Sequence, residues 1–343
     1  MIFHSNKKIK PMIINKKLED MFKERVESGE FKFSYSSLNR LIYSPQLFYK
    51  DYILKDKELR TDKHLVKGKL IHLMLLQPEN FDKEFILVPA RVPSDALRKV
   101  LKNISLYTDI IKLNDIEDKI ILDCLKEANL YQSLKEDEKR LAKVQTLDNE
   151  EYFKFMCTSD RDIVDQITFD DCFESVELLK ENKSVMKLLE TSTTDFEMDS
   201  VEVYNECMLE CELNDYKFGL KGIVDRYVID HDKKDITVID LKTTGKTISD
   251  FPETVEFYNY WMQAAIYINL IIKNVEENTK DYKINFNFVV IDKYNQIYSF
   301  PVSKESITKW GLGLKGILDM ANHHYEKNRY DLPYEFLDKV VSL

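Results

Sequence analysis

Glycine and proline are scarce, with eight of each in 343 residues, which excludes a collagen-like or low-complexity chain. Cysteine is scarcer still. Cys124, Cys157, Cys172, Cys207 and Cys211 form an odd, irregularly spaced set, which reads as reduced thiols in a cytoplasmic protein and not as a disulfide framework. Long apolar runs are also missing: the most apolar stretch, Trp261 to Ile272, is broken by Gln263 and Asn269, so no membrane span is expected. The lysines near Met1 are not followed by the apolar segment that an export signal needs. Positive charge is in deficit, 50 Lys+Arg against 60 Asp+Glu for a net of −10, which excludes a generally basic, histone-like binder.

What is present is the composition of a folded protein, 44% hydrophobic and 32% charged, and the length allows about two domains with a substantial core. The charge is unevenly spread. Residues 1–70 hold 16 Lys+Arg against 9 Asp+Glu, a net of +7, which leaves −17 for the rest. Because salt screens charges beyond roughly 10 Å, a local basic segment can meet a polyanion despite the acidic total.

Periodicity organises the chain as an α/β protein. Two short helices are expected between Phe33 and Tyr52, meeting at Ser44-Pro45 because proline breaks a helix interior. A helix over Gly68 to Leu76 carries His72 four residues from Gly68, whose missing side chain permits close approach to that face. A lysine- and glutamate-rich helical region follows, with a start signal at Thr168-Phe169-Asp170-Asp171. Alternation then predicts strands over Val201 to Tyr204, Met208 to Leu213, Phe218 to Ile229 and Ile236 to Leu241, as an antiparallel meander. A helix over Val255 to Lys273, strands over Ile284 to Asp292 and Gln296 to Val302, and a helix over Ile307 to Asn328 complete the pattern. The expected organisation is a basic arm over 1–32 and one domain over 33–343, with a mainly helical insertion at 86–164 and a sheet core at 199–302.

The chemistry concentrates on Asp225, at the end of Gly222-Ile223-Val224-Asp225, and on Asp240-Leu241-Lys242-Thr243-Thr244. Alternate strand residues share a face, so Asp240 and Lys242 point one way and Leu241 the other. A carboxylate and an ammonium at the end of an apolar strand are costly to desolvate without a purpose. A second carboxylate from Asp225 would make a hard-oxygen site suited to Mg²⁺ or Mn²⁺. Gln263 and Tyr267 lie one turn apart on the following helix. The pair His323-His324 and the lone His64 carry no such signal and are expected at the surface.

These residues, taken in order, resemble the PD-(D/E)XK nuclease superfamily, and most closely its RecE-type branch of exodeoxyribonuclease VIII-like enzymes, which are often encoded by phage or prophage. Ser36-Ser37-Leu38 with Ser44-Pro45 resembles that branch's opening, and Gly68-Lys69-Leu70-Ile71-His72 with Pro78 and Phe81 its histidine helix. Asp225, Asp240-Leu241-Lys242-Thr243-Thr244 and Gln263 with Tyr267 follow in the same order. The resemblance covers residues 33–85 and 165–335.

It implies a restriction-endonuclease-like core, a central mixed sheet flanked by helices, and a divalent ion, one or two, held by Asp225, Asp240, His72 and the Leu241 carbonyl. The family's further acid falls on Glu206, with Glu210 equally open by alternation. Lys242 would orient the attacking water and help deprotonate it, while Gln263 and Tyr267 would position the backbone or the lysine. Ser36, Ser37, Lys69, Thr243 and Thr244 are the expected DNA contacts. The implied activity is a 5′–3′ exonuclease on double-stranded DNA ends, acting in recombination, with a single-strand annealing protein as partner and homo-oligomers as in some members. An endonuclease on branched, single-stranded or RNA substrates, and a non-catalytic DNA-binding or assembly protein, remain as alternatives.

Two other signals fail. Gly245-Lys246-Thr247 lacks the glycine five positions earlier that a phosphate-binding loop requires, Asp240 standing there, so no nucleotide site is expected. An iron–sulfur cluster of the Cas4-like or AddB-like kind is not expected either: Ser44 precedes Pro45, and no cysteine follows Cys211.

Overall fold

A computed structural model describes residues 6–57, 63–158, 161–189 and 200–337. The expected boundaries at 1, 199 and 343 lie outside these residues, as does the side chain of His64. The chain divides into two compact units, one of residues 1–61 with 178–343 and the other of residues 62–177. The described strands are β1 (Lys32–Phe33), β2 (Phe85–Leu87), β3 (Asp162–Val164), β4 (Val201–Glu212), β5 (Gly219–Asp230), β6 (Asp235–Thr244), β7 (Lys283–Asp292) and β8 (Ile297–Pro301).

In the first unit, β4, β5 and β6 run antiparallel, β6 pairs β7 in parallel, and β8 closes antiparallel to β7. The parallel step needs a crossover, and helices Phe251–Phe257 and Tyr260–Asn274 supply it. This is a central mixed sheet flanked by helices, as expected. β4 occupies one edge of β5 along its whole length, so β1, which pairs in parallel with Gly219 and Leu220, shares the other edge with β6. The last rung between β5 and β6 is Arg226 with Ile239. Residues 221–225 therefore lie in a fork between β1 and β6.

One hydrophobic core lies on one sheet face, while Ile239, Leu241, Val289 and Ile291 are buried in the opposite phase. Ile236 and Val238 of β6 and Phe286, Phe288 and Val290 of β7 pack on that first face against helix Tyr260–Asn274, which buries Met262, Ala264, Ala265, Ile266, Tyr267, Ile268, Leu270 and Ile271. A helix apolar on nearly all sides belongs in such an interior. Helix Lys304–Lys327 covers it with Leu314, Leu318 and Ala321, and helix Asn6–Glu27, within the expected basic arm, adds Phe22 and Val26. Each fully buried Leu, Ile or Phe stabilises by about 1.5–3 kcal/mol relative to exposure.

The second unit has its own core, in which Leu97, Val100, Leu101 and Ile104 of helix Asp95–Tyr107 meet Ile121, Leu125, Val144 and Phe153. Its helix Lys63–Leu76 begins five residues before the expected start. In helix Gln166–Glu181 the cap is Asp165, whose carboxylate accepts from the Thr168 amide and hydroxyl at 2.9 and 3.0 Å, so the helix starts ahead of Thr168.

Three expectations are corrected. Val201 to Tyr204 and Met208 to Leu213 are one strand, because Glu206 takes a left-handed φ of 45° without ending it. The single helix over Val255 to Lys273 is two, broken at Tyr258-Asn259 where Asn259 has φ 58°, a conformation asparagine tolerates. His324 is not at the surface but fully buried: its ring stacks on Tyr330, and Nδ1 lies 2.6 Å from the Arg329 carbonyl. Asn328, with φ 48°, turns the chain back over the helix end and encloses it.

Candidate active site

The fork in the sheet is where the charged residues gather. Beyond the Arg226–Ile239 rung the next residues in register are Asp225 and Asp240, and the strands part there. The Leu241 amide donates to Asp225 Oδ2 at 2.8 Å, so a side chain takes the place of a ladder carbonyl. Across β4 the register puts Glu206 opposite Asp225, between the rungs Asn205–Arg226 and Cys207–Val224, but its left-handed backbone interrupts the ladder. One carboxylate oxygen of each lies within 4.8 Å of the other. Leu220 and Val224 enter the core before this point and Tyr227 and Ile229 after it, so the inward phase of β5 shifts by one residue and turns Asp225 to the side that Asp240 and Lys242 face. A strained residue in a strand interior is a mark of a functional site.

Asp240 is fully buried and forms an ion pair with the Lys242 ammonium. Burial opposes the charge on Lys242, but Asp240 and Asp225 outweigh it, and the amine is held above its ordinary range. The ammonium also sits 4.9 Å from the centre of the Tyr260 ring. Tyr35 lies against Tyr260, with ring centres 6.4 Å apart, and donates its hydroxyl to the Tyr258 carbonyl at 2.5 Å. The helix break at Asn259 is what leaves that carbonyl free of the helical ladder.

Further along the same helix, Gln263 Nε2 donates to the Tyr267 hydroxyl oxygen at 2.8 Å. Burial, then the charges of Asp225 and Asp240, push the Tyr267 phenol well above its ordinary value. Tyr267 therefore keeps its proton and can donate it. Gly222 makes room for this ring, since a Cβ there would stand 3.1 Å from it.

A family model of the PD-(D/E)XK nuclease superfamily matches residues 32–309. The chain belongs to this superfamily. It is thus a nuclease, a phosphodiester hydrolase of a family that uses divalent metal ions. No curated protein matches it. A crystal structure from Eubacterium rectale, provisionally named an exonuclease, is similar at 11% identity and a TM-score of 0.43, covering 93% of this chain and 92% of that one. Among the described residues no helix is long and apolar enough to cross a membrane.

The donors fit the metal that PD-(D/E)XK nucleases use. Glu206 and Asp225 present carboxylate oxygens within 4.8 Å of each other, and the buried Asp240 stands on the neighbouring strand just beyond the last rung with β5. Such hard donors suit a divalent cation that retains waters. Between the two open candidates the strand geometry distinguishes: Glu206 is in register with Asp225, while Glu210 stands opposite Lys221 and pairs with Lys32 at 3.3 Å.

His72 lies half-buried on helix Lys63–Leu76 of the second unit. Lys69, on the same helix, is held at 3.0 Å by both Glu84 and Asp162. Ser36 is exposed, whereas Ser37 is buried in a reciprocal cap with Ser34. Thr243 and Thr244 are half-buried at the end of β6, where Thr244 Oγ1 accepts from the Lys246 amide at 3.1 Å. Sequence reasoning missed Tyr35 and Tyr260. Tyr260 stands three residues before Gln263, a helical spacing that could have drawn attention to it.

Proposed function

We propose that this PD-(D/E)XK nuclease is a deoxyribonuclease that works as a 5′–3′ exonuclease on double-stranded DNA ends. The observation that carries the reading is the convergence of Asp225, Asp240 and Lys242 at the fork, with Glu206 in register beside them. Glu206, Asp225 and Asp240, with the Leu241 carbonyl, would hold Mg²⁺ or Mn²⁺, one or two ions, and the sequence resemblance adds His72 as a further ligand. A bound divalent ion acidifies a coordinated water and neutralises charge developing on the phosphate. Lys242 donates to the attacking water and orients it toward phosphorus. Tyr267, neutral and fixed by Gln263, donates to a phosphate oxygen. Ser36, Thr243 and Thr244 position the backbone without reading bases. The polarity, the role in recombination, a phage or prophage origin, the annealing-protein partner and oligomerisation rest on the RecE-type resemblance.

The test is digestion of linear and covalently closed circular duplex DNA with Mg²⁺ or Mn²⁺, comparing the parent protein with Lys242→Ala. Linear DNA is expected to be degraded from its ends and the circle spared, with the variant folded but inactive. Equal activity in the two proteins would overturn the assignment of the site. Cutting of the circle would replace an exonuclease with an endonuclease.

A further inference from the structure

The break between the two crossover helices leaves aromatic rings in water. Phe257, the last residue of helix Phe251–Phe257, is 72% exposed and the adjoining Tyr258 is 43% exposed. Large apolar rings side by side at a surface indicate a binding site when a partner of matching chemistry can be named. Here two neighbours name it. Lys246, exposed just beyond β6, holds its ammonium 5.2 Å from the centre of the Phe257 ring. On the other side the rings lead inward: Phe257 meets Tyr258 edge to face at 4.9 Å, Tyr258 meets Tyr260 at 5.6 Å, and Tyr260 carries the Lys242 ammonium on its face at 4.9 Å.

We propose that Phe257 and Tyr258 form a stacking platform for an unpaired nucleobase beside the scissile phosphate, with Lys246 taking the adjoining phosphate. The proposal rests on the nuclease reading above for what lies next to Lys242. A nucleobase offers a flat π face and its phosphate a negative charge, the complement of two exposed rings and an ammonium. Bases inside a duplex are already stacked on their neighbours, so the ring face accepts a base only where the strand is unpaired or frayed. Stacking tolerates any base, in keeping with a nuclease that reads the backbone. The Tyr35 hydroxyl on the Tyr258 carbonyl holds the platform in place, so little ordering is needed on binding.

The test is binding of a labelled oligodeoxyadenylate in EDTA at fixed salt, followed by fluorescence anisotropy. Phe257→Ala and Tyr258→Ala are each expected to weaken binding about tenfold, the scale of one base–aromatic stack, while Phe257→Trp keeps it. An abasic position scanned along the strand should cost the parent protein a similar factor at one place and cost the double alanine variant nothing more. Binding by the double variant equal to the parent's overturns the proposal. So does an abasic penalty of the same size in both proteins, which would assign the rings to a protein partner. Cleavage with Mg²⁺ by Lys242→Ala is scored separately. If that variant cuts like the parent while the abasic effect persists, the nuclease site fails and the platform stands.

Discussion

The Leu241 amide donates to the Asp225 carboxylate at 2.8 Å, where two antiparallel strands would otherwise exchange a backbone hydrogen bond. A group expected to bind metal is therefore also part of the sheet. Asp225→Asn keeps an oxygen acceptor for that amide and should unfold like the parent in urea, whereas Asp225→Ala strands a buried donor and should cost about 1–3 kcal/mol. Both remove a ligand charge and should lower cleavage about a hundredfold or more. Equal stability of the two variants would remove the structural half of this role.

The ring face of Tyr260 supports the ammonium of Lys242. Tyr260→Phe keeps the face and should cleave within about twofold of the parent, while Tyr260→Leu should lose roughly five- to thirtyfold in kcat with a smaller change in KM. The Lys242 εCH₂ resonance reports this contact without any turnover, and its ring-current shift should persist in Tyr260→Phe and vanish in Tyr260→Leu.

Glu206 occupies a left-handed conformation that costs a non-glycine residue on the order of 1 kcal/mol. Glu206→Gly should abolish metal-dependent cleavage yet melt at or above the parent's temperature, whereas Glu206→Gln should lose activity with no gain in stability. Calorimetry together with a cleavage assay separates the two effects, and a glycine variant markedly less stable than the glutamine one would contradict the strain.

Burial pushes the His324 imidazole below its ordinary value of 6.5, with His323 adding in the same direction. The Arg329 carbonyl, Glu335 and Asp331 oppose the shift without reversing it. The unfolded chain takes up a proton near pH 6.5 that the folded chain refuses. This contribution to stability is therefore complete above that pH and is lost as the pH falls below it. In urea melts at pH 7.5 and 5.5, His324→Gln should show a smaller loss on acidification than the parent, and an identical loss would clear His324 of the effect.

Much of the site was legible because its residues lie close along the chain. Asp240 and Lys242 share a face through the two-residue period of a strand, and Gln263 and Tyr267 through one helical turn. Those relations are local and hold wherever the element is placed. The break at Asn259 was not legible, because the apolar pattern continues through it and the side chain of the left-handed residue, besides its local bond from Trp261, is held by a distant partner, Asn39.

The sequence by itself determined the fold class, the superfamily motif, and the placing of Asp225, Asp240 and Lys242 on neighbouring strands. Only the tertiary structure decided that Glu206 and not Glu210 stands beside Asp225, that β5 changes its inward phase there, and that Tyr260 reaches Lys242. The reason is physical. Periodicity sets which way a side chain faces from its own backbone. What it meets depends on register and packing between segments distant along the chain, and one left-handed residue in a strand is enough to change that.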